Sequence, residues 1–161
     1  MSVISVDKDY DSLTITLVAH FDAPVERVWQ LWADPRQLER WWGPASNPAT
    51  VEEHDLTPGG EVTYFMTGPE GDKYRGWWRV TSVDPPTSLE FIDGFADQDG
   101  TPIADLPTST VQMRLTEHRG GTRMELRSIF DSRGQMERLV SMGATEGLQE
   151  AVGQMDALLA A

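Results

Sequence analysis

The chain has 161 residues, a length that normally makes one domain and buries a core without staples, so residues 1–161 are expected to form a single domain. A net charge of −13, with two lysines against eleven arginines, excludes the basic surface that nucleic acid or an anionic membrane requires of a partner. There is no cysteine, hence no disulfide and no thiolate metal site, and the start MSVISVDKDYDS has neither a basic region nor a long apolar run, so a cytoplasmic location is expected. No window approaches the ~18 consecutive apolar residues of a membrane-spanning helix.

Leu13 to Leu17 alternates strictly and predicts a strand reaching about Phe21. Two short helices follow. The first opens at Pro24 and sets Val25, Val28, Trp29 and Trp32 on one side; the second opens at Asp34-Pro35, with Asp34 as cap and Gln37 at the box position. From Ala49 to Asp131 the period is two and the punctuation is that of turns. Strands are predicted at Val51–Leu56, about Val62–Met66, Lys73–Val83, Ser88–Gly94, Thr110–Glu117 and Thr122–Phe130, joined by hairpin-length connections and therefore antiparallel. The loop from Ala96 to Pro107 is the best candidate for an insertion or lid.

Ser132 to Ala160 carries apolar or small residues in steps of three and four, from Met136 and Leu139 to Leu158 and Leu159, which predicts one long helix. Ser132 and Gln135 resemble a capping box at its start. Gly143 and Gly147 fall in its apolar stripe, each at a cost of about 1 kcal/mol relative to Ala, so close approach, a bend or room for a guest is expected there. The layout is α+β: a strand, two small helices, about six further strands and a long C-terminal helix.

Read in order, Phe21-Asp-Ala-Pro-Val-Glu-Arg-Val-Trp29, Asp34 to Pro44, Asp55 to Gly60, Gly76, Gly120 to Arg123 and Gly143 to Leu148 resemble the START-like SRPBCC superfamily. Within it they are similar to the group of the C-terminal domain of activators of the ninety-kilodalton heat-shock chaperone's ATPase. The resemblance runs from about Leu13 to Leu159. It implies a helix-grip (START/Bet v-like) fold, a curved antiparallel sheet of about six or seven strands wrapped on the C-terminal helix, with an apolar cavity between them. Relatives of this kind include lipid carriers and polyketide cyclases. Two departures stand out. Nothing here matches the Asn- and Trp-rich motif that the true activators carry in a separate N-terminal domain, so stimulation of the chaperone is not expected, and Leu148 stands where relatives often have Trp.

Strand parity points Val62, Tyr64 and Met66, then Tyr74, Gly76, Trp78 and Val80, then Leu89 and Phe91, towards the helix, with Val111, Met113 and Leu115 beside them. From this inner set the expected ligand-binding residues are Tyr64, Met66, Tyr74, Trp78, Phe91 and Met113 on the sheet. Gly143, Gly147, Leu148 and Val152 are their counterparts on the helix. The same apolar list with sparse polar tips also describes an ordinary core. No catalytic residue is assigned, because no nucleophile stands in a recognisable setting and the inner faces offer only tyrosines as acid or base. Asp93, beside Gly94, is read as a turn residue near the cavity mouth. His54 is the one histidine near other acids, but in a strand its neighbours point to alternate faces, and no metal site or cofactor is expected.

Three functions are therefore expected. The first is binding of an apolar small molecule between sheet and helix. The second is a polyketide cyclase/dehydratase-like enzyme relaying protons through Tyr64, Tyr74 or His54. The third is a chaperone-associated interaction protein. Trp42 and Trp77, the outward members of their doublets, are the expected anchors of a homodimer or protein contact.

Overall fold

The computed structural model describes residues 3–160. Eight strands form one antiparallel sheet in the order β1-β2-β8-β7-β6-β5-β4-β3. They are β1 (Val3–Asp9), β2 (Thr14–Phe21), β3 (Ala49–His54), β4 (Glu61–Thr67), β5 (Lys73–Asp84), β6 (Ser88–Ala96), β7 (Ser109–His118) and β8 (Gly121–Phe130). Helices α1 (Val25–Ala33) and α2 (Pro35–Leu38) lie between β2 and β3, and the remaining helices follow β8.

β1 adds a strand that the sequence pattern hides. Asp7, Lys8 and Asp9 interrupt its alternation, and among the described residues the strand pairs only with β2, at the sheet edge, where charged side chains guard against further pairing. The turn that joins the two is closed by Asp9, whose Oδ1 accepts the backbone N–H of Asp11 (3.0 Å) and Ser12 (3.2 Å). Asp34 caps α2 as its chemistry suggests, accepting the Arg36 N–H at 2.9 Å while Gln37 donates to its other oxygen at 3.0 Å.

The C-terminal segment is helical, but not as the single rod its periodicity predicts. It consists of α3 (Arg133–Ser141), α4 (Ala144–Gly153) and α5 (Met155–Ala160). Ser132 caps α3 by accepting the Gln135 N–H at 3.2 Å. α3 then stops at Met142, and Gly143 takes φ +84°, the left-handed conformation that ends helices and that a Cβ disfavours. Gly143 is thus a hinge in the backbone rather than a gap in an apolar stripe, while Gly147 sits inside α4 with open space where a Cβ would stand. Gly143→Ala is expected to cost about 1 kcal/mol and Gly147→Ala to gain up to about 1 kcal/mol, a divergence that thermal denaturation of the two variants measures.

Gln154, at the α4–α5 junction, ties the segment down by donating to the carbonyls of Gly43 (2.7 Å) and Trp41 (3.2 Å). The core lies between the inner face of the sheet and these helices, and its bulkiest members are Trp32, Trp41, Trp78, Phe21 and Phe91, all essentially inaccessible.

Candidate functional site

The tryptophans divide the grip into a filled end and an open one. Trp32 packs edge-on to Trp41 (ring centroids 4.8 Å), Trp42 edge-on to Trp78 (4.8 Å), and Trp78 stacks on Phe91 at 4.0 Å with planes 15° apart. This cluster fills the space beneath α1 and α2. Beyond it, where the α3–α4 break crosses the sheet, the walls do not meet, and a cavity of about 390 Å³ remains. Its floor is Tyr64 and Met66 of β4, Asp93 and Phe95 of β6, Val111 of β7, and Leu126 and Ser128 of β8; its roof is Leu139, Met142, Gly143 and the first turn of α4 as far as Leu148. Tyr74 and Met142 are both more than half exposed and stand at its rim. Pro107, from the loop between β6 and β7, reaches the lining as well.

Of the residues expected from the sequence, Tyr64, Met66, Tyr74, Gly143, Gly147 and Leu148 line this space. Trp78, Phe91, Met113 and Val152 do not. They are almost fully buried in the packed core, the first two because they stack on one another instead of facing a void. His54 is also outside it, half-buried with its Nε2 3.0 Å from the Trp32 carbonyl. Of the two tryptophans expected to face outward, one is corrected. Trp42 is buried and lines the cavity, whereas Trp77, half-buried on the outer face, packs over Gly94 and donates to the Phe95 carbonyl at 3.0 Å.

The residue that sequence reasoning misplaced is Asp93. β6 continues to Ala96, so the parity that turns Leu89 and Phe91 inward turns Asp93 inward as well. It is no turn residue. Its carboxyl sits deep among protein atoms, and the surface it keeps opens into the cavity. Burial raises its pKa to about 7, against the pull of the Tyr64 phenol and the Gly94 N–H, which favour the charged form. Tyr64 is pushed well above its ordinary value, first by burial and then by the Asp93 charge; the neighbouring indoles of Trp42 and Trp78 oppose this. Those indole N–H groups reach no partner at hydrogen-bond geometry, nor does that of Trp32. Room for the phenol comes from Gly76, since a Cβ there would overlap the Tyr64 hydroxyl.

On the roof, Thr145 is 4% exposed and its hydroxyl has no partner. An unpaired buried hydroxyl destabilises, so Thr145→Val is expected to raise stability by about 1 kcal/mol, read from urea denaturation. Among the described residues, no cluster of three or more His, Asp or Glu is arranged to hold a metal, and no helix is long and apolar enough to cross a membrane.

The architecture is shared with solved structures. A crystal structure of a Mycobacterium smegmatis protein is 54% identical, with a TM-score of 0.91 over 98% of this chain and 96% of that one. A solution structure of an Arthrobacter aurescens protein is 50% identical, with a TM-score of 0.95 over 99% and 92% of the two chains. The crystal structure of the AHSA1 protein from Silicibacter pomeroyi is 26% identical, with a TM-score of 0.72 over 91% and 97%. No curated protein matches the chain. The family described as Activator of Hsp90 ATPase homolog 1-like protein matches residues 22–160, spanning both short helices, β3 to β8 and the whole C-terminal helical segment. The chain belongs to that family, with the helix-grip architecture of the SRPBCC superfamily.

Proposed function

We propose that the protein binds an apolar small molecule in the cavity between the sheet and the α3–α4 break. The observation that carries this reading is the void itself. A space of about 390 Å³ with mostly apolar walls falls in the range of roughly 300–1,000 Å³ typical of ligand pockets. A handful of polar groups in those walls would orient a guest, and the exposed Met142 and Tyr74 at the rim give it an entrance. The test is titration with N-phenyl-1-naphthylamine, a neutral dye that brightens in apolar surroundings. Saturable binding at one site per chain supports the reading, and absence of uptake up to the solubility limit of the dye contradicts it.

One observation favours the enzyme reading as an alternative. Tyr64 and Asp93 face each other inside the cavity, and an acid with a pKa of about 7 is matched to proton transfer at neutral pH. A cyclase- or dehydratase-like reaction would use Asp93 to move the proton and Tyr64 to hold the developing charge.

A further inference from the structure

Building on the binding reading above, we propose that the inner wall of the cavity is a seat for one neutral carbonyl oxygen of the ligand, with Asp93 as the donor and Tyr64 as the group that positions it. Asp93 stands where the strand would otherwise carry an apolar side chain. Its neighbours of the same parity, Phe91 and Phe95, are apolar, and a cavity serving hydrocarbon alone would gain from an apolar side chain between them.

The groups around Asp93 come from every adjoining element. Tyr64 faces it from β4. Trp78 of β5 and Ser109 of β7 are its partners across the sheet, and Thr145 closes the roof from α4. No lysine, arginine or histidine is among the lining residues, so no cation stands ready to pair with an ionised carboxylate. The neutral acid is the form these walls favour, and a neutral carboxyl presents an O–H donor. The Tyr64 phenol lies close enough to Asp93 to act on its carboxyl, and the Trp42 indole N–H in the same wall has no partner. The neutral Asp93 carboxyl, the Trp42 indole N–H and the Thr145 hydroxyl, the last two without partners, give this wall donors for an acceptor.

The alternatives fit less well. A cationic amine would force Asp93 to ionise and would bury an ion pair among apolar atoms and further donors. A carboxylate ligand would bring a second acid against the first. A ketone, aldehyde or quinone oxygen asks only for the donors already present.

The consequence is pH-dependent recognition. Below pH 7 the carboxyl donates to the oxygen; above it, the carboxylate repels the same lone pairs. Two probes separate the head from the body of a ligand: 6-propionyl-2-(dimethylamino)naphthalene, and its 6-propyl counterpart, which lacks the oxygen. From pH 6 to pH 9 the ketone should lose about tenfold in affinity and the propyl compound should show no change. Asp93→Asn, which keeps an N–H donor at every pH, should remove the pH dependence and retain ketone binding. In Asp93→Leu the ketone should lose, at pH 6, the red-shifted emission that a hydrogen-bonded carbonyl gives. Parallel pH responses of the two probes, or a pH response that persists in Asp93→Asn, would overturn the proposal while leaving the cavity reading intact. If neither probe binds the wild-type protein, both readings fall together.

Discussion

Asp93→Asn is expected to be more stable than the parent protein at pH 8 by about 2–4 kcal/mol, and nearly equal to it near pH 4. The sign follows from where the proton sits. In the unfolded chain Asp93 ionises near pH 4, whereas in the fold it holds its proton up to about pH 7. Between those values the native state binds more protons than the unfolded state, so this group's contribution falls as pH rises and reaches its full penalty above pH 7. Each pKa unit is worth about 1.4 kcal/mol, and the cavity-facing surface of the carboxyl places the effect at or below the full ~4 kcal/mol. Other carboxylates act in the opposite sense. Asp34, held below its ordinary range by Gln37 and by the Arg36 N–H, contributes stability that is lost as pH falls through its lowered pKa. The measurement is therefore the difference between the two proteins in urea denaturation at each pH from 4 to 8. A difference that does not change with pH would mean that Asp93 is solvated as an ordinary surface acid.

Filling the cavity is expected to abolish binding and leave the fold standing. Ser128 lies on the floor near the C-terminal end of β8, opposite Val111 of β7, and Leu148 lies on the roof in α4. In Ser128→Phe/Leu148→Trp both enlarged side chains occupy the space between sheet and helix, and neither change removes a hydrogen bond. For each ~100 Å² of apolar surface that the guest can no longer bury, about 2–3 kcal/mol is lost, on the order of 100-fold in affinity. Dye titration reads that loss, and the thermal transition of the variant should stay at or above that of the parent, because apolar contacts replace a void. A variant that binds the dye as tightly as the parent would place the binding elsewhere on the molecule.

The fold was largely legible in the sequence because its cues are local. Ser132 and Asp34 cap helices through hydrogen bonds set by residues two or three positions on, and strands β2 to β8 carry an alternation that one buried face imposes. β1 was not legible, since an edge strand with charges at Asp7, Lys8 and Asp9 has little alternation to show. The break at Gly143 has the opposite cause. Periodicity of three and four continues through it, and only the left-handed φ, which glycine permits but does not announce, divides α3 from α4.

The site was legible in part for a similar reason. Parity shows that Tyr64 and Met66 turn inward, but it does not say which inward residues touch a void and which touch each other. Trp78 and Phe91 stack, and so seal the end of the grip rather than line its cavity. Asp93 was within reach of the same rule. Carrying the alternation of β6 two residues past Phe91 turns it inward, but the adjacent Gly94 reads as a turn. In the fold that glycine instead makes room for the Trp77 ring on the outer face.

The space between the sheet and the α3–α4 break is expected to hold a guest. Native mass spectrometry of protein purified without detergent or organic solvent, compared with the same sample denatured, tests it most directly. The expected result is a native species heavier than the denatured chain by one small molecule, lost in Ser128→Phe/Leu148→Trp. A native mass equal to that of the bare chain, unchanged by an excess of the naphthalene ketone, would contradict it.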